Sequence, residues 1–139
     1  MKRILIAGSR NFKDYGLLYG TLMRHTDVKH EEVEFISGKA PGADRLGEKF
    51  AKERGMGEFM SGFPANWKDI EVEGAVIRKN RYGEYNAVAG NIRNRQMAEY
   101  LAEQDDSEAF LFWDGTSSGT KNMLDLLIEY SINTHIIYF

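Results

Sequence analysis

Phe110–Thr120 reads FLFWDGTSSGT. An apolar, aromatic run passes into a turn of glycine, serine and threonine, and an apolar-striped helix is predicted over Gly119–Tyr130. A buried strand, a small-residue turn and a helix in that order present bare backbone N–H groups at a helix N-terminus, where an anion binds well. The same turn also fits a capped loop, since Ser and Thr are good N-caps. Asp114 is its only carboxylate, and could order a ribose hydroxyl, a water or a Mg2+ ion. Just upstream, Ala89–Met97 reads AGNIRNRQM. It places Arg93 and Asn94 near the start of a helix expected over Gly90–Glu103.

Working outward, the pattern repeats. Arg3–Gly8 (RILIAG) is a continuous apolar run, as expected of a strand covered on both faces. It enters the polar turn Gly8-Ser9-Arg10-Asn11, after which Asp14 can cap a helix carrying Tyr15, Leu18 and Leu22. His25 lies where that stripe runs out. Glu32–Ser37 (EVEFIS) is a second strand, followed by Gly38–Asp44 (GKAPGAD) and a helix with Leu46, Phe50 and Ala51 on one face, ending at Gly55. Glu58–Phe63 is a weaker third strand, stopped by Pro64. Ala109–Trp113 is the fourth and Thr134–Phe139 the fifth.

Strands alternating with helical segments predict one α/β domain over 1–139. It is a Rossmann-like three-layer sandwich, with a five-stranded, mostly parallel sheet of order 3-2-1-4-5 and helices on both faces. In that order the sheet reverses between strands one and four, and ligands bind at the carboxyl ends there. Residues 65–88 break the pattern with Trp67, Tyr82 and Tyr85 among charges. They predict a lid-like excursion, a short helix or hairpin over that edge.

Composition narrows the classes. The chain has 139 residues, 42% hydrophobic and 28% charged, with a net charge of −3 and no cysteine. Disulfides, thiolate metal sites and cysteine nucleophiles are excluded. An overall basic surface for nucleic acid is absent. His25, His30 and His135 show no metal-ligand spacing, so no metal site is expected from them. No run reaches the roughly 20 apolar residues of a membrane helix, and Met1–Gly8 lacks a signal-peptide pattern. The expectation is a cytoplasmic protein that does not engage a membrane.

Each turn admits a bland reading beside a chemical one. Gly8, Ser9 and Arg10 form either a turn with a solvated arginine or a phosphate contact, the guanidinium binding bidentately. In Ser37–Asp44, Gly38 and Gly42 suit a tight turn and Asp44 favours the helix start. Alternatively Lys39 and the loop amides hold phosphate or ribose. The GK[ST] ending of a P-loop is absent. Four such turns at one sheet edge make a shared pocket the economical explanation.

These residues together resemble the YspA-type (cpYpsA-related) branch of the SLOG superfamily. The likeness rests on GSR after strand one, SGKAPGAD after strand two, FPANW, AGNIRNRQM and FWDGTSSGTKNM. The resemblance implies a Rossmann-like fold that binds nucleotides or their derivatives. It implies ligand contacts at Gly8, Ser9, Arg10, Gly38, Gly42, Asp44, Arg93, Asn94, Gly119 and Thr120. The superfamily also includes the LOG phosphoribohydrolases, with PGGxGTxxE and RKxxM motifs. Here Gly119-Thr120 match the GT, Met123 stands at the glutamate position, and Asn94 replaces the lysine after Arg93. A likeness of GSR and SGxxxGxD to the DNA-processing protein DprA supports a single-stranded nucleic-acid module as the alternative.

The resulting expectation is a nucleotide-like ligand of ADP-ribose or NAD type. Its phosphate is held by Arg10 and the turn containing Gly115, Ser117, Gly119 and Thr120, with Arg93 and Asn94 alongside and Trp67 or Tyr82 covering the base. No cofactor is expected beyond Mg2+ through Asp114. Were the ligand cleaved, the reaction would be N-glycosidic or phosphate-ester hydrolysis, with Asp44 or Asp114 as the carboxylate. Related folds often pair, so a homodimer is a further expectation.

Overall fold

The computed structural model describes residues 1–25 and 32–139; His30 lies outside the described residues. The elements run β1 (Lys2–Gly8), α1 (Tyr15–His25), β2 (Val33–Ser37), α2 (Ala43–Glu53), β3 (Met60–Gly62), β4 (Ile77–Asn80), β5 (Gly83–Asn86), α3 (Ala89–Ala102), β6 (Glu108–Trp113), α4 (Ser118–Glu129) and β7 (Asn133–Tyr138). The main sheet is five-stranded, in the order β3-β2-β1-β6-β7, and every pairing in it is parallel. With the main-sheet strands counted in sequence, this is the expected 3-2-1-4-5. No helix among the described residues is long and apolar enough to cross a membrane.

Alternation along the strands builds two cores. Ile4 and Ile6 of β1, with Phe110 and Phe112 of β6, pack against Leu18, Leu22 and Phe50 of α1 and α2. Leu5 and Ala7, with Ala109 and Leu111, face Met97, Leu101, Met123 and Leu127 of α3 and α4. Because both faces are covered, the continuous apolar runs are what a buried parallel sheet requires.

Local signals fix the ends. Asp14 Oδ1 accepts the Leu17 N–H at 3.0 Å, the cap expected of it. Helix α2 stops at Gly55, at φ +75°, with Met56 N–H donating back to the Ala51 carbonyl at 2.8 Å. The third strand is shorter than expected, because a 3-10 turn over Gly57–Phe59 takes its first residues. The excursion contains the antiparallel hairpin β4–β5. Its base is tied down by Asn86, which is 1% exposed. Asn86 N–H donates to the Trp67 carbonyl at 2.7 Å, and its Oδ1 accepts Val76 and Val88 amides at 3.2 and 3.1 Å.

Candidate functional site

Gly8 pairs with Phe112 at the carboxyl ends of β1 and β6, so the turns that follow these strands begin side by side. Ser9 joins them. Its N–H donates to the Phe112 carbonyl at 2.9 Å, and its buried Oγ accepts the Asp114 N–H at 3.1 Å. Its carbonyl accepts Phe12 and Ala43 amides at 3.2 and 3.3 Å. Above this junction opens a pocket of about 620 Å³, floored by Ala7, Met97, Leu111 and Met123.

The pocket gathers Gly8, Ser9, Arg10, Asp44, Trp67, Arg93, Asn94, Asp114, Ser117, Gly119 and Thr120 from the sequence-based set. Four others stand back from it. Gly38 lies beneath, where its carbonyl accepts from Arg93 Nη1. A Cβ on Gly38 would come within 2.6 Å of Arg93 Nη1 and 2.7 Å of Asp44 Oδ2. Gly42, at φ +84°, packs so closely under the first turn that a Cβ would sit 2.4 Å from the Ser9 carbonyl oxygen. Gly115, also at φ +84°, shapes the loop. Lys39 turns away, its ammonium 2.9 Å from Glu48. Tyr82 is 82% exposed on the hairpin tip and does not line the pocket.

Two helices start at the pocket without a side-chain cap. The first intrahelical bond of α4 is Lys121 N–H to the Ser117 carbonyl at 3.1 Å, so the amides of Ser118, Gly119 and Thr120 have no partner within the helix. Ser117 Oγ contacts Thr120 Oγ1 at 3.2 Å rather than an amide. In α3 the first such bond is Ile92 N–H to the Val88 carbonyl at 3.0 Å, which leaves the amides of Ala89, Gly90 and Asn91. Gly90 and Asn91 line the pocket. Gly119 has ordinary helical backbone and open space where a Cβ would stand. Neither strain nor packing within the chain therefore calls for glycine there, although glycine weakens a helix by about 1 kcal/mol relative to alanine.

Arg93 is shared between fold and pocket. It donates from Nε to Asn94 Oδ1 at 2.9 Å, and from Nη1 to the carbonyls of Gly38 and, at 3.3 Å, Phe63. Burial lowers its pKa, Arg10 adds repulsion, and Asp44 opposes both. Asn94, 5% exposed, donates to the Gly119 carbonyl at 3.2 Å and to Asn122 Oδ1 at 3.0 Å. Arg10 forms no ion pair among the described residues and lies 6.0 Å from the Trp67 ring. Trp67 in turn rests against the bare Cα of Gly90.

The two candidate carboxylates differ. Asp114 Oδ1 accepts the Thr116 and Ser117 amides at 2.9 and 2.8 Å, which hold its pKa below the usual range. It is a loop organiser and a poor proton acceptor. Asp44 is 4% exposed. Burial raises its pKa to about 6, against the Ala40 amide and the Arg93 charge, which favour the ionised form. That value suits proton transfer near neutral pH. Among the described residues no three His, Asp or Glu side chains gather as a metal site. Met123 is 2% exposed and belongs to the core, as its helix stripe predicts.

Asn11 and Asn122 line the pocket, and Asn86 anchors its Trp67 wall, without having been singled out from the sequence. The available signal is position: each lies within a few residues of a strand end or a helix start beneath this edge.

The model of the YspA, cpYpsA-related SLOG family matches residues 2–69, from β1 through Trp67. Helices α3 and α4 lie outside the matched residues. No curated protein and no solved structure matches the chain. Over residues 2–69 this chain is similar to the YspA, cpYpsA-related SLOG family.

Proposed function

We propose that the pocket binds a nucleotide-derived small molecule of ADP-ribose or NAD type. A phosphate sits on the Ser118, Gly119 and Thr120 amides, with Arg10 and Arg93 alongside. Asp44 faces the ribose, and Trp67 covers the base. The observation that carries this reading is Gly119: a glycine that neither backbone strain nor neighbouring atoms require, at the start of an uncapped helix, on the wall of a pocket. A bare Cα there lets a phosphate reach the amides. The likeness of residues 2–69 to a family that generally binds nucleotide-derived ligands supports the same reading. A Mg2+ ion accompanying the phosphate would meet Asp114. Any hydrolysis would draw its base from Asp44, because Asp114 is held ionised by its loop.

The test combines mass spectrometry of co-purifying small molecules with a thermal-shift panel of AMP, ADP, ADP-ribose and NAD, each with and without Mg2+. The expected result is stabilisation by the phosphate-bearing ligands and none by adenosine. No shift with any of them would contradict the proposal.

The hairpin favours a second reading. Arg78, Lys79 and Arg81 are exposed there and form no ion pair among the described residues, and Arg81 lies 4.8 Å from the exposed Tyr82 ring. Cations beside an aromatic ring suit a single-stranded nucleic acid. Binding of a labelled oligonucleotide that falls steeply with salt would support this reading. No binding at low salt would remove it.

A further inference from the structure

We propose that β7 is a dimerisation edge, along which a second copy of this chain extends the sheet by antiparallel strand pairing. The strand pairs with β6 in unbroken register from Asn133 to Tyr138, and nothing among the described residues pairs with its other side. It therefore presents a row of outward N–H and C=O groups. Exposed edges are ordinarily blunted by charge, proline, bulges or shortness. The opposite edge follows that rule: β3 has three residues and is soon followed by Pro64. By contrast, residues 131–139, SINTHIIYF, contain no Asp, Glu, Lys, Arg or Pro in a chain that is 28% charged.

Apolar side chains flank this open edge. Ile136 is 38% exposed, Tyr138 62%, and Ile128 on the neighbouring α4 66%. A second copy fits because its own residues 131–139 bring no Asp, Glu, Lys or Arg to the pairing. A two-fold axis through Ile136 sets Ile136 against its own copy and Thr134 against Tyr138. His135 then meets Ile137. No like charges oppose one another, and the nearby Glu129 is already paired with Arg95 at 2.8 Å. A six-residue strand pair with these flanking groups buries on the order of 1,000 Å² in total, the size of a weak, reversible interface. The expected dimer is therefore micromolar and depends on concentration.

Sedimentation velocity across a concentration series tests this, with folding of each variant checked by circular dichroism. The wild-type chain should pass from monomer to dimer, and Ile136→Lys or Tyr138→Lys should weaken association at least tenfold. Because the chain has no cysteine, Ile136→Cys gives a second, independent readout. Mild oxidation should link two copies through that position, as paired strand residues allow, and Asp125→Cys, on an exposed part of α4, should not crosslink. A wild-type chain that stays monomeric at hundreds of micromolar would overturn the proposal. So would a dimer that neither lysine variant weakens, or one in which Ile136→Cys fails to crosslink.

Discussion

The Asn94 side chain donates from Nδ2 to the Gly119 carbonyl at 3.2 Å, so a buried amide of α3 positions the first turn of α4. The same amide donates to Asn122 and accepts from Arg93 Nε. One residue thus couples the guanidinium on one side of the pocket to the anion seat on the other. Asn94→Ala leaves three polar partners short of a hydrogen bond. It should destabilise the fold by about 2 kcal/mol in urea unfolding and weaken ligand-induced thermal stabilisation. A variant as stable as the wild type would show that these bonds contribute little.

Asp44 gives a pH dependence of definite sign. Its carboxyl titrates near 6 in the folded chain, above the ordinary 3.8, so the folded state holds the proton more tightly than the unfolded one. Its contribution is most favourable below about pH 4 and is lost as pH rises through 6, by up to about 3 kcal/mol. Asp44→Asn should therefore exceed the wild type in stability at pH 8, and the gap should close towards pH 4. It should also bind ligand more weakly if Asp44 contacts the ribose. Thermal melts at several pH values check the first point and ligand titration the second. A gap that does not change with pH would contradict the assignment.

Trp67 tests the base-stacking wall. It is 39% exposed and lies beside Arg10. Trp67→Ala should lower affinity for a nucleotide by about 1–3 kcal/mol, with a smaller effect for inorganic phosphate. Fluorescence quenching on ligand addition should fall to the level given by Trp113 alone. Equal losses for nucleotide and phosphate would place the base elsewhere.

Gly42 and Gly38 should behave as structural positions. Gly42→Ala forces a side chain into left-handed backbone and against the Ser9 and Arg10 carbonyls. Gly38→Ala wedges a methyl between Arg93 and Asp44. Gly42→Ala should lose at least about 2 kcal/mol of stability by chemical denaturation, and Gly38→Ala should lose less, because only side-chain ends have to shift there. Wild-type stability in either would mean that the turn relaxes freely.

The strand order was legible because buried parallel strands write themselves as apolar runs, and RILIAG and FLFW are such runs. The polar turns after them were legible because glycine, serine and threonine mark strand-to-helix junctions. What the sequence could not show was how polar side chains are divided between fold and pocket. Arg93, read as a ligand contact, also holds the Gly38 and Phe63 carbonyls, and Ser9 joins two turns. Lys39 follows a glycine in a promising loop, yet a carboxylate on the next helix takes its ammonium. These outcomes depend on partners 9 to 105 positions away, beyond any local pattern.

The most direct measurement is Gly119→Ala, read for stability and for ligand binding in the same preparation. A Cβ there meets nothing within 4 Å, and alanine is the better helix former. The ligand-free variant should be as stable as the wild type or up to about 1 kcal/mol more so. Its affinity for ADP-ribose or the corresponding nucleotide should fall at least tenfold, because the new methyl stands where the phosphate meets the amides. Undiminished binding in a fully folded Gly119→Ala protein would contradict a phosphate seat at the start of α4.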